Sequence, residues 1–453
     1  MKILVLVGAC LLFAGTIVIV YRRPQRGLLV LAALTPLHGL LAILPLPGIA
    51  TAWKEAFVVA VAVCAWLRRT RTTNRRTPPL LMPWWPAVAL WVVVGSISAV
   101  ATIGLLGFVA IKVTFFYLIV IAILWLAPFD ARDRDNLVSI LMTMAVIASF
   151  VGIAQIIVGP GFLIQLGYEY GRQVRTSGGF LRTFSTFTQP FPFGLYVMIA
   201  LLVGGAVALA EPRRPRNLAF LCLSPIMVIA MSSSIVRAAI LGLVVGMIWL
   251  AILRFRGLFL PLGIGAVALA AVIPFVPNLS KVFFSSSSLG QRGAGWTDIV
   301  SSILAHPVGL GLGASGSAAD RISSASGVTI GAVSTNYQPD NYYVKMLLEL
   351  GPIGLWLVLA WLFVGLVWTM RLGRVLPGRD GAFALGVSAS IVAAMVASLV
   401  ATYFEIFPID VYYWLLLGVV GCAAAQHASR SEPWLSGQGA AVSRPTSASS
   451  SGS

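Results

Sequence analysis

Long apolar runs separated by short polar or basic stretches make up most of this chain. Each run approaches the roughly 20 residues that an α-helix needs to cross a lipid bilayer. The pattern predicts an all-α polytopic membrane protein with about 12–14 transmembrane helices, the count depending on whether Pro36, Pro45 and Pro47 break the second run. The thirteen runs lie at about 3–20, 27–46, 50–67, 86–104, 107–127, 137–158, 191–210, 217–235, 237–253, 257–275, 343–369, 381–403 and 409–426.

Basic residues are grouped into clusters that follow every odd-numbered run. Lys and Arg are retained on the cytoplasmic side of membrane proteins. One orientation, with the N-terminus outside, therefore puts every cluster in the cytoplasm. The clusters are Arg22, Arg23 and Arg26; Arg68, Arg69, Arg71, Arg75 and Arg76; Arg132 and Arg134; Arg213, Arg214 and Arg216; Arg254 and Arg256; Arg371, Arg374 and Arg379; and Arg430 and Arg444.

The spacing of the runs divides the chain into four parts. Residues 1–275 hold transmembrane helices with an outer loop near 159–190. Residues 276–342 form one large outer loop, and residues 343–427 form the C-terminal transmembrane helices. The Ser/Ala/Gly-rich residues 428–453 lack apolar content, which predicts a disordered cytoplasmic tail.

The large outer loop contains one stretch with helical periodicity. Trp296, Ile299, Val300 and Ile303 share one helical face, which predicts a short amphipathic helix on the outer membrane surface that stops at Pro307. Every second residue after this helix is a glycine. The Lys-Ser/Thr of a phosphate-binding loop is missing, so a nucleotide site is excluded. The glycines instead predict close backbone packing or a tight turn. These glycines are Gly309, Gly311 and Gly313.

The composition excludes several classes of protein. The chain has 453 residues, of which 59% are hydrophobic and 10% charged, and its mean hydropathy is +0.94. Soluble domains carry roughly 25% charged residues, so a soluble protein is excluded. The cytoplasmic clusters account for the net charge of +17, and no nucleic-acid partner is predicted. The four cysteines lack CxxC spacing, and only three histidines and 14 acidic residues occur, so neither a metal centre nor a disulfide framework is indicated.

The predicted outer side, where the sidedness rule disfavours basic residues, holds six arginines: Arg172, Arg175, Arg182, Arg237, Arg292 and Arg321. Three of them are candidates for binding a ligand. Arg182 is near the end of the first outer loop, Arg237 is in a tight turn, and Arg292 is in the large loop. The planar guanidinium binds phosphate through two parallel hydrogen bonds, which favours an anionic ligand. For Arg237 the alternative is snorkelling to lipid phosphates of the outer leaflet.

Other polar residues allow two interpretations each. Asp340 precedes a helical run, as either its N-cap or a general base at the mouth of the helix bundle, and Asn341 follows it. Glu349 lies four residues after Lys345, the spacing of a helical ion pair. Lys112 lies within an apolar run near its outer end, which suits either a functional role or snorkelling.

Several segments resemble motifs of the O-antigen polymerase and O-antigen ligase superfamily of bacterial envelope glycosyltransferases. The resemblance covers roughly residues 180–365. Residues 182–190, RTFSTFTQP, resemble an outer-loop segment R-x-x-G-T-F-x-x-P, with Ser185 in place of the glycine. The other matching segments are Met231-Ser-Ser-Ser-x-x-Arg237, Arg292-x3-Trp296, His306-Pro307-x-Gly309-x-Gly311 and Asp340-Asn341-x7-Glu349-x-Gly351.

The resemblance implies a polytopic helical enzyme that uses an undecaprenyl-diphosphate-linked glycan as donor. Such enzymes transfer the glycan outside the cytoplasmic membrane, onto another lipid-linked repeat in polymerases or onto lipid A-core in ligases, without metal, nucleotide or other cofactor. By resemblance, Arg182, Arg237 and Arg292 hold the donor diphosphate.

One departure from the ligase pattern bears on the catalytic base. Ligases of this family look like His followed by Asn or Ser at the start of the helix after the large loop. This chain has Asp340-Asn341 at the corresponding place. That difference favours the polymerase branch and leaves Asp340 or His306 as the base. Supporting residues would be Asn341, Glu349 and Lys112.

We therefore expect a polymerase of lipid-linked oligosaccharide repeats for a surface polysaccharide such as O-antigen, capsule or exopolysaccharide. It would lie in the bacterial cytoplasmic (inner) membrane with its active site outside, among membrane lipids and beside a flippase or a chain-length regulator. The alternatives are a ligase and, from another class, a polysaccharide flippase or transporter. A transporter would hold its ionisable residues near mid-membrane, whereas here they concentrate on one side.

Overall fold

The computed structural model describes residues 15–44, 48–69, 80–272, 299–326 and 340–431. Nine helical stretches among them are long and apolar enough to cross a membrane, and two further apolar helices are shorter. The one sheet in this part of the chain has two short strands. This architecture confirms the prediction of an all-α polytopic membrane protein.

The helices follow the apolar runs in order along the chain. Proline at the first or second position begins several of them, where its missing N–H costs no helical hydrogen bond. They are α1 (15–22), α2 (Pro24–Leu34), α3 (Trp53–Arg69), α4 (Trp85–Ile103), α5 (Gly107–Phe115), α6 (Ile119–Leu126), α7 (Ala131–Gln165), α8 (Pro190–Ala210), α9 (Pro215–Ser233), α10 (Arg237–Leu253), α11 (Phe259–Val272), α12 (299–305), α13 (Gly316–Ser326), α14 (Tyr342–Val375), α15 (Gly378–Ala397) and α16 (Ile409–Ser431).

Two of the run boundaries have clear local causes. The second run is broken, because α2 ends at Leu34 and a 3-10 helix, Thr35–Ala42, follows with Pro36 near its start. The run at 86–104 is separated from the next by Gly104, whose φ of +59° ends α4. The apolar stretch Trp85–Leu126 therefore contains a break rather than one straight helix.

Four of the basic clusters lie at the same end of the helix bundle. Arg23 pairs with Asp130 at 2.7 Å, and Arg216 and Arg379 pair with the same carboxylate, Asp135, at 3.0 and 2.7 Å. Arg134, from the cluster that precedes Asp135, pairs with Asp380 at 2.6 Å at this same end. We call this the basic end and the opposite side the loop end. The alternation read from the sequence agrees with this common location.

Two long helices kink near the loop end. Gly159 and Gly351 have φ values of +76° and +64°, and each precedes a proline, in α7 and α14 respectively. Proline cannot donate to the preceding turn, so the helix axis changes direction at both places. The end of α7 then leads into strands β1 (Arg175–Ser177) and β2 (Phe180–Arg182).

The predicted outer loops differ from the structure in two respects. Residues 183–187, placed in the first outer loop, are buried inside the bundle. Irregular backbone is tolerated at membrane depth only where protein covers it, and here neighbouring helices do so. In the large loop, the described residues 299–305 are helical, as the periodicity predicted, and α13 is an additional helix.

The C-terminal boundary also needs a correction. Helix α16 continues to Ser431, beyond the predicted limit at residue 427, so the first residues of the predicted disordered tail are helical. The physical reason is that Ala, Gln and Arg at its end are good helix formers once the preceding turns are packed. The predicted tail beyond residue 431 lies outside the described residues.

Candidate functional site

Two arginines lie opposite each other in the hairpin that follows α7. The antiparallel register of β1 and β2 pairs Arg175 with Arg182. Like charges directly opposite each other destabilise a strand pair. The Arg182 Nε donates to the carbonyl oxygen of Ser234 at 3.3 Å. This contact holds the hairpin against the turn before α10, which begins at Arg237.

The three guanidinium groups act on one another electrostatically. Burial of Arg182, and then the positive charges of Arg175 and Arg237, lower the pKa of the Arg182 guanidinium. Within the described part of the chain, neither Arg175 nor Arg182 forms an ion pair. We call Arg175, Arg182 and Arg237 the arginine cluster. It brings three positive charges together at the loop end, an arrangement suited to an anion.

The turn before Arg237 has an unusual backbone. Ile235 has a φ of +53°, a conformation that β-branched residues rarely adopt. Thr183 fixes the turn from outside: its N–H donates to Ser233 O at 3.2 Å, and the two hydroxyl groups are 2.7 Å apart. Strained backbone of this kind is concentrated at functional sites. This turn determines where α10, which begins at Arg237, leaves the loop.

The buried segment after Arg182 is held by a single polar side chain of α7. The Gln155 Oε1 accepts hydrogen bonds from the N–H groups of Phe184 (3.1 Å) and Ser185 (2.8 Å), and its Nε2 donates to Ser185 O at 2.8 Å. Ser185 has a φ of +54°, in the left-handed region that favours glycine. This explains how a serine occupies the glycine position of the motif: its hydroxyl donates to Ala148 O at 2.6 Å.

The glycine-rich loop after His306 packs against the kink in α14. Pro352 has no N–H to donate to Leu348 O, and the N–H of Leu310 donates there instead at 2.8 Å. The N–H of Gly311 likewise donates to Glu349 O at 2.9 Å. A Cβ at Gly309 would collide with this same backbone. The prediction that these glycines permit close packing is confirmed.

A cluster of charged groups is buried where this loop meets α14. The Lys345 Nζ lies 3.1 Å from Glu349 Oε2 and 2.6 Å from Glu405 Oε1. Glu349 also accepts from the N–H (3.0 Å) and hydroxyl (2.8 Å) of Ser315. The Lys345 and Glu349 side chains are fully buried. We call Ser315, Lys345, Glu349 and Glu405 the buried ionic cluster. It confirms the predicted pair of Lys345 and Glu349, and it adds Glu405, which the sequence did not single out.

The residues considered as bases lie at exposed positions on either side of this packing. Asn341, not Asp340, is the N-cap of α14, because its side chain accepts from the N–H groups of Tyr343 (2.9 Å) and Val344 (3.2 Å). The N-cap interpretation of Asp340 is therefore wrong, since the helix starts one residue later. Asp340 is exposed directly before the cap, and His306 is exposed after α12.

Two other predicted site residues have different outcomes. Lys112 forms an ion pair with Glu55 at 3.2 Å, and its side chain is 51% exposed. Arg292 lies outside the described residues. Of the three arginines expected to bind a diphosphate, the structure thus brings two together, Arg182 and Arg237, and adds Arg175 to them. Gln155 and Glu405 could have been noticed as polar residues in or between apolar runs.

A comparison with known families gives a match to part of the chain. The family model described as O-antigen ligase matches residues 218–359. The matched range contains Arg237, His306, Asp340 and Glu349, whereas Arg182 precedes it. The match confirms the resemblance to the O-antigen polymerase and ligase superfamily. A comparison with curated proteins gives no significant match.

Proposed function

We propose that this protein, a multi-pass membrane member of the O-antigen polymerase and ligase superfamily, polymerises undecaprenyl-diphosphate-linked oligosaccharide repeats into a surface polysaccharide. The observation that supports a diphosphate-linked donor most directly is the arginine cluster, because it brings three guanidinium groups together at the loop end. The sequence Asp340-Asn341 favours a polymerase over a ligase. The description of the matched family, O-antigen ligase, keeps transfer to lipid A-core as the second candidate.

The residues of the arginine cluster would stabilise the leaving group. In the transfer, the acceptor hydroxyl oxygen forms a bond to the anomeric carbon of the donor sugar. The bond from that carbon to the diphosphate oxygen breaks, and its electron pair stays on the diphosphate. Negative charge therefore grows where Arg182 and Arg237 would lie, and fixed cations lower the barrier to this step. The reaction as written uses no metal ion and no nucleotide.

The location of the protein follows from the same proposal. Undecaprenyl-diphosphate glycans are used on the outer side of the bacterial cytoplasmic membrane, so the loop end would face outside and the basic end the cytoplasm. Membrane lipids and the lipid-linked glycan would be its direct partners. A flippase that delivers the repeats, or a regulator of chain length, would act beside it.

The first experiment distinguishes the two candidate functions. Deletion of the protein in its native cell is expected to cause single lipid-linked repeats to accumulate, because initiation and membrane transfer of each repeat continue. Mass spectrometry of extracted polyprenyl-linked glycans measures this directly. Accumulation of full-length lipid-linked chains would instead show a ligase, and unchanged glycan lipids would exclude both functions.

We propose Asp340 as the base that accepts the proton of the acceptor hydroxyl, with His306 as the second candidate. Asp340 is exposed beside the N-terminus of α14, whose partial positive charge attracts an anionic donor. His306 is exposed as well, and imidazole is the side chain that most often serves as a general base. Asn341, Glu349 and Lys112 stay in this proposal as supporting residues.

Separate substitutions are expected to identify the base. Asp340→Asn should lower the transfer rate by about 10²–10⁴-fold, the usual contribution of general base catalysis, whereas His306→Gln should retain most of the rate. Rates are measured with purified protein and lipid-linked repeats, together with thermal stability to show that both variants fold. A large loss in His306→Gln alone reverses the assignment. Full rates in both variants would mean that no side-chain base is required.

A further inference from the structure

A second group of polar and aromatic side chains converges at the loop end on the ring of Phe407. The Lys54 Nζ lies 4.0 Å from the centre of this ring. The ring centroids of His38 and Tyr117 lie 5.1 and 5.7 Å from it. Asp410 follows closely in the chain, as the second residue of α16. We call His38, Lys54, Tyr117, Phe407 and Asp410 the Phe407 cluster.

The charges of this cluster are mixed, unlike those of the arginine cluster. Lys54 forms no ion pair within the described parts of the chain, but its charge is attracted by Glu55 and Asp410. Asp410 is 6% exposed, and its Oδ1 accepts from the N–H of Val411 at 2.8 Å. Lys112 and Arg321 are within electrostatic reach. Because both signs meet here, the cluster suits a neutral polar ligand better than an anion.

Two buried polar atoms, one in the cluster and one beside it, lack a hydrogen-bond partner among the residues that the structure describes. They are the hydroxyl of Tyr117, in a residue only 8% exposed, and the Oε2 of Glu55. The Tyr117 hydroxyl is within electrostatic reach of Asp410, Glu55 and Arg321. Buried polar groups are almost always hydrogen-bonded. Groups left unpaired in this way are ready to bind a ligand with several hydroxyl groups.

A sugar ring has the chemistry that these side chains would recognise. Its hydroxyl groups donate to carboxylates and accept from ammonium and phenol groups, so Asp410, Lys54 and Tyr117 supply complementary partners. Its C–H faces pack against aromatic rings such as Phe407. Binding sites for small molecules commonly combine apolar walls with a few polar groups in this manner.

The Phe407 cluster is connected to the arginine cluster through main-chain contacts. The N–H of Gly39, next to His38, donates to Thr186 O at 2.9 Å, and the Thr186 hydroxyl donates to Pro36 O at 2.7 Å. Thr186 is four residues from Arg182, so the two Cα atoms are at most about 14 Å apart. One oligosaccharide repeat and one diphosphate could therefore occupy the two clusters together.

We propose that the Phe407 cluster binds a sugar of the acceptor glycan, whereas the arginine cluster binds the donor diphosphate. This inference rests on the proposed glycosyltransferase function and adds the site of its second substrate. Asp410 and Lys54 fix the hydroxyl groups of one sugar, and Phe407 contacts its face. Tyr117 gains a hydrogen-bond partner, which none of the described residues provides.

The test uses the full-length protein in lipid nanodiscs and a probe without diphosphate. The probe is the repeat-unit oligosaccharide, released by mild acid from the cell's own lipid-linked repeats and labelled with a fluorophore. Anisotropy is expected to show saturable binding, weakened about tenfold or more in Asp410→Asn and Lys54→Gln, since each loses hydrogen bonds to a charged group. Asp380→Asn, the same change at the basic end, is the matched control and should bind as the unchanged protein does.

Tyr117→Phe separates ligand binding from a structural role. It removes a hydroxyl for which the described residues provide no hydrogen-bond partner, so the protein should unfold at an equal or higher temperature. It should nevertheless bind the oligosaccharide more weakly. Absence of binding to the unchanged protein, or equal binding by Asp410→Asn and Tyr117→Phe, overturns the inference. Arg182→Gln should bind this probe normally. Loss of transfer in Arg182→Gln with equal probe binding in Asp410→Asn would reject the acceptor site alone and leave the proposed function intact.

Discussion

Replacement of Lys345 by methionine is expected to destabilise the protein more than any other single change considered for this fold. The ammonium group lies 3.1 Å from Glu349 and 2.6 Å from Glu405, and the three side chains are at most 2% exposed. Without it, two buried carboxylates face each other with no cation between them. Removal of one partner from a buried ion pair costs about 3–5 kcal/mol. That loss is a large fraction of the stability of a typical protein domain.

The expected loss is measured as the yield of monodisperse protein and the unfolding temperature in detergent. Lys112→Met is the matched control, because it breaks an ion pair with Glu55 whose lysine is 51% exposed and should cost at most about 1 kcal/mol. The triple variant Lys345→Met, Glu349→Gln, Glu405→Gln removes both stranded charges and should recover most of the stability. Equal stability of Lys345→Met and the unchanged protein would contradict a charged, buried cluster.

The position of the buried ionic cluster explains why its effect would extend to function. Ser315 belongs to the segment after the glycine-rich loop, Lys345 and Glu349 to the first turns of α14, and Glu405 to the segment before α16. The cluster joins these three elements at the loop end. Asp340 lies just before this part of α14, so loss of the cluster would also release the proposed base from its place.

The helices could be predicted from the sequence because their cause is local. A run of apolar residues with no polar partner has to satisfy its backbone within one helix, so its length and ends follow from nearby residues. The break after Leu34 and the pairing of Lys345 with Glu349 depend on neighbours within a few positions. The alternating glycines indicated close packing, but their partners in α14 are distant in the sequence. The boundary at residue 427 was wrong because only the packing of α16 decides where it ends.

Contacts between distant segments could not be predicted in this way. Gln155 binds Ser185 and Lys345 binds Glu405, and neither spacing carries a periodic signal. The only local sign was a polar residue in or beside an apolar run, which marks importance but not a partner. The arginine cluster could be predicted only in part. The motifs put Arg182 and Arg237 on one side, whereas the addition of Arg175 required the register of β1 and β2.

Alanine at Arg182 or at Arg237 is expected to remove most of the transfer activity while the protein remains folded. A charge-assisted hydrogen bond to phosphate contributes about 1.5–3 kcal/mol, which corresponds to a loss of roughly 10- to 150-fold in the rate at low substrate concentration. Arg182 also holds the carbonyl of Ser234, but this single contact at 3.3 Å is weak enough for the fold to survive its loss.

Arg172→Ala is the matched control, because this arginine lies in the same loop, pairs with Glu169 and has a side chain that is 70% exposed. It should retain the full rate. Lysine at Arg182 or Arg237 should restore only part of the rate, since an ammonium keeps the charge but cannot bind phosphate through two parallel hydrogen bonds.

The double alanine variant should lose less than the product of the two single losses if both arginines bind one diphosphate. Full activity in either single variant, with normal protein levels, would show that this arginine does not bind the donor. Independent, multiplicative losses would mean that Arg182 and Arg237 serve two different groups despite their common location.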